Sequence, residues 1–171
     1  PNGKPNPQEV VANEMAVEKL LAEKADIAIT NDPDADRIGV VVLHDDKPVY
    51  LNGNQSAALA ADYVLSRLRQ KGELTPKHYL AKTIVTTELL QALADYYGVK
   101  LYKNMLVGTK YIGELIRNKE ATDEVFVLGG EESYGMLKGT YVRDKDGAAG
   151  ALTLAEAAAE LKAANKTLYT R

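Results

Sequence analysis

The sequence predicts an α/β fold of the doubly wound type, with mostly parallel sheets and helices on both faces. From residue 53 onward, short apolar runs alternate with amphipathic segments, which is typical of parallel β–α–β units. Polar and glycine-rich loops follow these runs, and 46% of the 171 residues are hydrophobic while 26% are charged, as expected for a chain with a folded core. We therefore expect two units of structure, residues 1–52 and residues 53–171.

The first unit should begin with a helix and continue with strands. Asn6 is placed to cap the helix, Pro7 suits its first turn and Glu9 can complete a capping box, so the helix should run to about Ala25. Two apolar runs typical of buried strands come next, with a polar loop between them. After the helix, the segments are ADIAIT, NDPDADR, IGVVVL, HDDK and PVYLN.

The second unit should alternate helices and strands to the end of the chain. Sheets of this kind place their ligand-binding groups in the loops beyond the carboxyl ends of the strands. The expected elements are a helix from about Gln55 to Gln70, strand YLAKTIV, helix TELLQALADYYG, strand VKLYKNM, helix KYIGELIRN, strand EVFVLGG, a long loop to Gly147, and helix AAGALTLAEAAAELKAA.

Composition narrows the function classes. Lys and Arg number 21 against 24 Asp and Glu, and the net charge of -3 does not favour binding to nucleic acid or to an anionic membrane. The absence of cysteine excludes disulfides, thiolate metal sites and cysteine nucleophiles, and favours a cytoplasmic protein. No uncharged stretch approaches the roughly 18 apolar residues of a membrane span.

The loop NDPDADR carries three alternating carboxylates. Asp32, Asp34 and Asp36 directly follow an apolar strand, so their side chains can converge on one side. Like charges this close repel each other unless a cation lies among them, and all-oxygen ligands suit Mg²⁺. Arg37 can pair with these carboxylates or reach a phosphate. The alternative is a solvated acidic turn whose carboxylates cap backbone amides.

A second polar loop, GGEESYG at 129–135, follows strand EVFVL. Its two leading glycines allow the backbone to approach a ligand closely. Glu131 and Ser133 point the same way in an extended segment, and a carboxylate with a hydroxyl suits adjacent sugar hydroxyls. The alternative is a glycine-rich turn with solvated glutamates.

Basic residues occur where helices or strands meet loops. Lys110 follows Thr109, a candidate helix cap, and Lys145 precedes the last helix, with Arg143 close to it in sequence. Such positions suit anion binding or proton transfer. Lys82 lies near the end of a parallel strand, where its side chain can point toward the ligand crevice. The alternatives are lysines that extend into water and an edge position for Lys82.

Taken together, these segments resemble the α-D-phosphohexomutase superfamily, most closely the phosphoglucomutases. The resemblance runs along nearly the whole chain and depends on the order and spacing of the segments. TNDPDADRIGVVV resembles the metal-binding loop, KTIVTTELL and VGTKYIGELI resemble segments of the third domain, GGEESYG resembles the sugar-recognition loop, and YVRDKDG resembles the loop before the last helix of that domain.

The resemblance implies a mutase that interconverts glucose 1-phosphate and glucose 6-phosphate through a phosphoserine, with glucose 1,6-bisphosphate as intermediate and activator. By the same resemblance, Mg²⁺ would be held by Asp32, Asp34 and Asp36. Arg37 would contact the phosphoserine, and Lys145 would be the general acid/base. The residues similar to the family's substrate-binding positions are Lys82, Thr109, Lys110, Glu131, Ser133 and Arg143, and Glu132 is similar to the glucose-preferring members.

The chain also departs from the family pattern. Val107 stands where the family often has Thr, so a hydroxyl that would face the substrate is missing at this position. Thr109 could supply a hydroxyl in its place. Segments resembling the serine loop TASHNP and the phosphate-binding loop RxSGTEP do not occur in the sequence. The chain therefore resembles the C-terminal part of the metal-binding second domain, at 1–52, followed by the sugar-recognition third domain, at 53–171.

Three consequences follow for partners and activity. We expect the chain alone to lack mutase activity and to need the missing domains of its parent protein. We also expect the strands of the first unit to present an exposed sheet edge through which the chain could dimerise.

The alternatives to this predicted function are phosphomannomutase or phosphopentomutase activity in the parent, a non-catalytic module for metal or sugar phosphate, and a phosphatase with an aspartyl nucleophile.

Overall fold

The computed structural model describes residues 4–171, and in that range it has five α-helices and seven β-strands in two sheets. The first sheet is a meander of β1 (Ile27–Asn31), β2 (Ile38–His44) and β3 (Lys47–Leu51), in that order and antiparallel throughout. Asn31 pairs with Ile38, so the acidic loop, residues 32–37, connects β1 to β2 as the sequence predicts.

Helix α1 (Glu14–Glu23) starts later than the sequence predicts. The side chain of Asn6 accepts a hydrogen bond from the Gln8 amide at 3.2 Å and caps no helix, because a 3₁₀ turn at Val10–Asn13 precedes α1. The buried Asn13 side chain explains this start: it donates to the carbonyl oxygen of Pro7 at 3.1 Å and accepts from Thr30 at 2.5 Å. These bonds fix the preceding turn against the sheet. The predicted start near Pro7 was therefore wrong.

The remaining elements alternate as predicted. A capping box between Asn52 and Gln55 starts α2, which accounts for the start of this helix at Gly53. The elements in chain order are α2 (Gly53–Gln70), β4 (His78–Thr83), α3 (Leu89–Tyr97), β5 (Lys100–Met105), α4 (Thr109–Lys119), β6 (Val125–Gly130), β7 (Met136–Lys138) and α5 (Gly147–Ala163).

The second sheet has the strand order β5-β4-β6-β7. Strands β5, β4 and β6 are parallel, which confirms the predicted β–α–β alternation, whereas β7 is antiparallel to β6. Strand β7 lies inside the predicted long loop before α5. It runs back along β6, so the loop before β7 lies at the carboxyl end of the sheet. The segment after β7 begins beside Val127 and returns to Met136, where the Asp146 amide donates to the Met136 carbonyl oxygen at 2.9 Å.

One hydrophobic core joins the two sheets. Val40 and Val42 of β2 share this core with Leu154 and Ala157 of α5. At Gly150 the helix comes so close that an added Cβ would lie 3.2 Å from Ile38 and 3.1 Å from Met136. Helix α5 therefore holds the acidic loop beside the loops of the second sheet. Within residues 4–171, no helix has the length and apolar character needed to cross a membrane.

Candidate functional site

Three loops meet at the amino end of α5. They are the acidic loop (32–37), the glutamate loop (131–135) and the lysine loop (143–147). The Ile38 amide donates to the carbonyl oxygen of Tyr134 at 3.1 Å, and the Gly147 amide donates to that of Ala35 at 3.0 Å. These backbone bonds tie the acidic loop to both of the other loops.

Asp32 forms the base of the acidic loop. Its side chain is buried, and one carboxylate oxygen accepts from the backbone amides of Asp36 and Arg37, each at 3.1 Å. The other oxygen accepts from Nε of Arg37 at 2.9 Å. Burial opposes ionisation of this carboxyl, but the hydrogen bonds from Arg37 outweigh it and hold the pKa of Asp32 below its usual range.

The other two aspartates are placed differently. Asp34 is exposed, whereas Asp36 is half-buried with one carboxylate oxygen 3.2 Å from Nζ of Lys145 and the other 3.6 Å from Nε of Arg37. Between residues 4 and 171, no three His, Cys, Asp or Glu side chains lie close enough together to hold a metal ion. The carboxylate donors suit a hard cation chemically, but Arg37 and Lys145 neutralise two of them in this arrangement.

Lys145 bridges the acidic loop and the glutamate loop. Its ammonium nitrogen lies 3.2 Å from a carboxylate oxygen of Asp36 and 3.8 Å from one of Glu131. The aliphatic stem crosses Gly135, where an added Cβ would lie 2.2 Å from Cδ of the lysine. A glycine at 135 therefore allows Lys145 to reach both carboxylates.

Glu131 is the most deeply buried acid of the site, with 2% of its surface exposed. Its carboxylate accepts from the Gly108 amide at 3.0 Å, on the loop that starts α4. Burial raises the pKa of Glu131, and the nearby Lys145 ammonium and the Gly108 amide oppose that rise. Ser133 is half-buried on the same loop.

The remaining candidates on α4 and the lysine loop are engaged elsewhere. Thr109 donates its hydroxyl proton to Asp144 at 2.8 Å, which joins the start of α4 to the lysine loop. Arg143 pairs with Glu120 at the far end of α4. The exposed Lys110 lies over the ring of Tyr111, at 4.9 Å from its centre. The structure therefore does not bring Arg143 and Lys110 to the row formed by Asp36, Lys145 and Glu131.

Lys82 lies near the carboxyl end of β4, as predicted, but its side chain is 1% exposed. Its ammonium donates to the carbonyl oxygen of Thr86 at 2.7 Å and pairs with Glu88 at 2.9 Å. The lysine thus binds the loop that follows its own strand.

The parts of the site that lie on the backbone were not predicted from the sequence. The Gly108 amide, which binds Glu131, and Gly135, which leaves room for Lys145, carry no functional side chain. The only signal for them is the glycine at each position, next to a residue already singled out. Asp144, the partner of Thr109, was also missed.

Comparison with known proteins places this chain in a family. Residues 52–171 match the family described as phosphoglucomutase/phosphomannomutase, alpha/beta/alpha domain III, and residues 1–45 match alpha/beta/alpha domain II of the same family. The chain belongs to the phosphoglucomutase/phosphomannomutase family. The predicted family resemblance is thereby confirmed, and the acidic loop and the glutamate loop fall in regions matched to different domains.

Individual relatives agree with this assignment. A phosphoglucomutase from Staphylococcus aureus (strain N315) is 38% identical over 164 residues, which are 95% of this chain and 29% of the relative. The chain therefore spans less than a third of the length of this curated relative.

Solved structures show the same fold. The crystal structure of a phosphoglucomutase/phosphomannomutase family protein from Burkholderia thailandensis has a TM-score of 0.72 at 23% identity, covering 94% of this chain and 32% of that one. The open form of the phosphoglucomutase parafusin from Paramecium has a TM-score of 0.69 at 22% identity, covering 95% and 27%. The predicted α/β fold is confirmed.

Proposed function

We propose that this chain forms the metal-binding and sugar-recognition parts of a phosphohexomutase that interconverts glucose 1-phosphate and glucose 6-phosphate. The row formed by Asp36, Lys145 and Glu131 carries the proposal, because it links a candidate metal loop to a candidate sugar loop through one ammonium group. The family assignment supports a mutase as the activity of the parent protein.

In this proposal the glutamate loop binds the sugar. The Glu131 carboxylate accepts hydrogen bonds from hydroxyls of the hexose, and the Ser133 hydroxyl both donates to and accepts from an adjacent one. The buried position of Glu131 supports this role, because a carboxylate shielded from water binds a hydroxyl more strongly than an exposed one does.

Lys145 acts as the general acid/base in the same proposal. A group with this role must lie within hydrogen-bond reach of the oxygen that gains or loses the proton. Nζ of Lys145 lies 3.8 Å from the carboxylate of Glu131, so a hydroxyl bound to Glu131 would come close to the ammonium.

To hold Mg²⁺, the side chains of Asp32, Asp34 and Asp36 would have to move closer together than they lie here. Arg37 would contact the phosphoserine of the parent protein. When bound, the ion would offset the negative charge of the transferred phosphoryl group. Asp32 binds the backbone of its own loop and the side chain of Arg37, which fixes the loop before any ligand arrives.

The parent reaction needs groups that these 171 residues do not contain. A phosphoserine loop and a second phosphate-binding loop are absent from the sequence, so we expect this chain to bind hexose phosphate without turnover. The parent would pass through glucose 1,6-bisphosphate. Mannose 1-phosphate is the second candidate substrate, because the matched family is described by both activities.

A calorimetric titration of the chain with glucose 1-phosphate tests the proposal. We expect saturable binding that Glu131→Gln weakens about tenfold, the loss typical of one hydrogen bond to a charged group. Glu114→Gln, on the exposed face of α4, is the matched control and should bind like the unmodified chain. Equal affinity of both variants, or no saturable binding at all, would refute the proposal.

A further inference from the structure

Glu132 lies in the sequence between Glu131 and Ser133, the two proposed sugar-binding residues. Two threonine hydroxyls bind its side chain. One of its carboxylate oxygens lies 3.3 Å from the hydroxyl of Thr83 and 3.2 Å from that of Thr86. Both threonines are almost completely buried, with 0% and 3% of their surfaces exposed. These hydroxyls can therefore bond only to groups inside the protein.

The two threonines form a hydrogen-bonded pair with each other. Their hydroxyl oxygens are 2.7 Å apart, and each hydroxyl has one proton to donate. One threonine can donate to the other, and the second then donates to Glu132. The carboxylate is the nearer of two acceptors for this buried pair, because the carbonyl oxygen of Gly130 lies 3.4 Å from the Thr86 hydroxyl.

Lys82 fixes the loop that carries this pair. Its ammonium donates to the carbonyl oxygen of Thr86 at 2.7 Å and to that of Thr83 at 3.4 Å. The pair with Glu88 at 2.9 Å balances the buried charge. The strand register places Lys82 beside Gly130, directly before the glutamate loop. Lys82, which the sequence predicts as a substrate-binding cation, therefore supports the segment from Thr83 to Thr86.

The backbone of Glu132 is also fixed. A Cβ added to Gly53, the first residue of α2, would lie 2.1 Å from the carbonyl oxygen of Glu132, so the helix start is in close contact with the loop. Glu131, one residue earlier, is bound on the other side by the Gly108 amide. The two adjacent glutamates are therefore held by different elements: Glu131 by the start of α4, and Glu132 by the end of β4 and the loop after it.

We infer that Glu132, Thr83 and Thr86 are positioning residues that hold Glu131 and Ser133 in place for the sugar, a role that rests on the proposed function. Glu132 does not contact the sugar in this arrangement. In this role Glu132 acts on the sugar through the place it gives to its two neighbours. Lys82 supports the same role through the carbonyl oxygen of Thr86.

Four variants of the ¹⁵N-labelled chain test the inference. Thr86→Val removes the hydroxyl at nearly constant volume, whereas Thr86→Ser keeps the hydroxyl and removes only the methyl group. Glu132→Ala removes the acceptor and serves if Thr86→Val fails to fold. Thr87→Val is the matched control, because the Thr87 hydroxyl lies on the same loop but accepts from the Leu89 amide instead. Two quantities are measured, amide exchange of Glu131, whose N–H bonds to Gly135, and the Kd for glucose 1-phosphate.

We expect Thr86→Val and Glu132→Ala to speed Glu131 amide exchange and to raise the Kd, each about tenfold, since each removes a hydrogen bond to a charged group. Thr86→Ser and Thr87→Val should match the unmodified chain in both. Unchanged exchange and affinity in Thr86→Val and Glu132→Ala would overturn the inference. If the unmodified chain fails to bind glucose 1-phosphate, the proposed function fails. Faster exchange in these variants would still confirm that Glu132, Thr83 and Thr86 position the loop.

Discussion

Lys145 owes its position to a glycine on the neighbouring loop. The lysine stem occupies the space that a side chain at Gly135 would fill, and this route brings the ammonium between Asp36 and Glu131. The sequence predicted each of these three charged residues singly, from its place after a strand or before a helix. It could not predict that they form one row, because the row depends on how α5 packs against both sheets.

The variant Gly135→Ala tests this dependence. The new methyl group would overlap the Lys145 side chain, and the flexible lysine should move away at a cost of about 1 kcal/mol in the free energy of unfolding. Urea unfolding measures that cost, and the ¹⁵Nζ signal of Lys145 reports its displacement. An unchanged Lys145 signal would show that the lysine does not depend on the glycine.

Individual elements differ in how well the sequence predicts them. Helix α2 was predicted closely, because Asn52 and Gln55 form a local capping box that needs no distant partner. The start of α1 was wrong because the buried Asn13 bonds to Thr30, a contact between residues far apart in sequence. Strand β7 was missed because three residues within a glycine-containing loop carry no recognisable alternation.

A charged cluster joins three elements at the edge of the second sheet opposite the site. Glu124, just before β6, accepts from Tyr102 of β5 at 3.0 Å and pairs with Lys119 of α4 at 2.5 Å. It also pairs with Lys100 at the start of β5. Its hydrogen bonds with Lys100 and Lys119 lower the pKa of Glu124 to about 2, so the folded state favours its charged form.

This pKa predicts a pH-dependent effect of Glu124→Gln. A carboxyl whose pKa is lowered by folding stabilises the folded state above its unfolded pKa, 4.5, and loses that contribution as the pH falls toward about 2. The variant should therefore be less stable than the unmodified chain at pH 7, and the difference should shrink below pH 4.5. Urea unfolding across this range measures it, with Glu114→Gln as the control. A difference that stays constant with pH would contradict the assignment.

For the molecule as a whole, the shared core explains how the site is assembled. Helix α5 belongs to the region matched to one domain of the family, yet it packs on β2, which lies in the region matched to another. The alternation of the second unit was predictable from the sequence because it is periodic. The contact between the two units was not predictable from the sequence, because the alanines and glycines on α5 do not indicate which sheet the helix packs against.

The central claim is that the acidic loop and the glutamate loop form one site joined by Lys145. The most direct test is an amide NMR titration of the chain with Mn²⁺, which broadens signals near the bound ion. We predict early broadening at residues 32–37, then at Glu131 and Lys145, and its loss in Asp34→Ala. Diffuse broadening that Asp34→Ala leaves unchanged, or broadening that spares Glu131 and Lys145, would contradict the account.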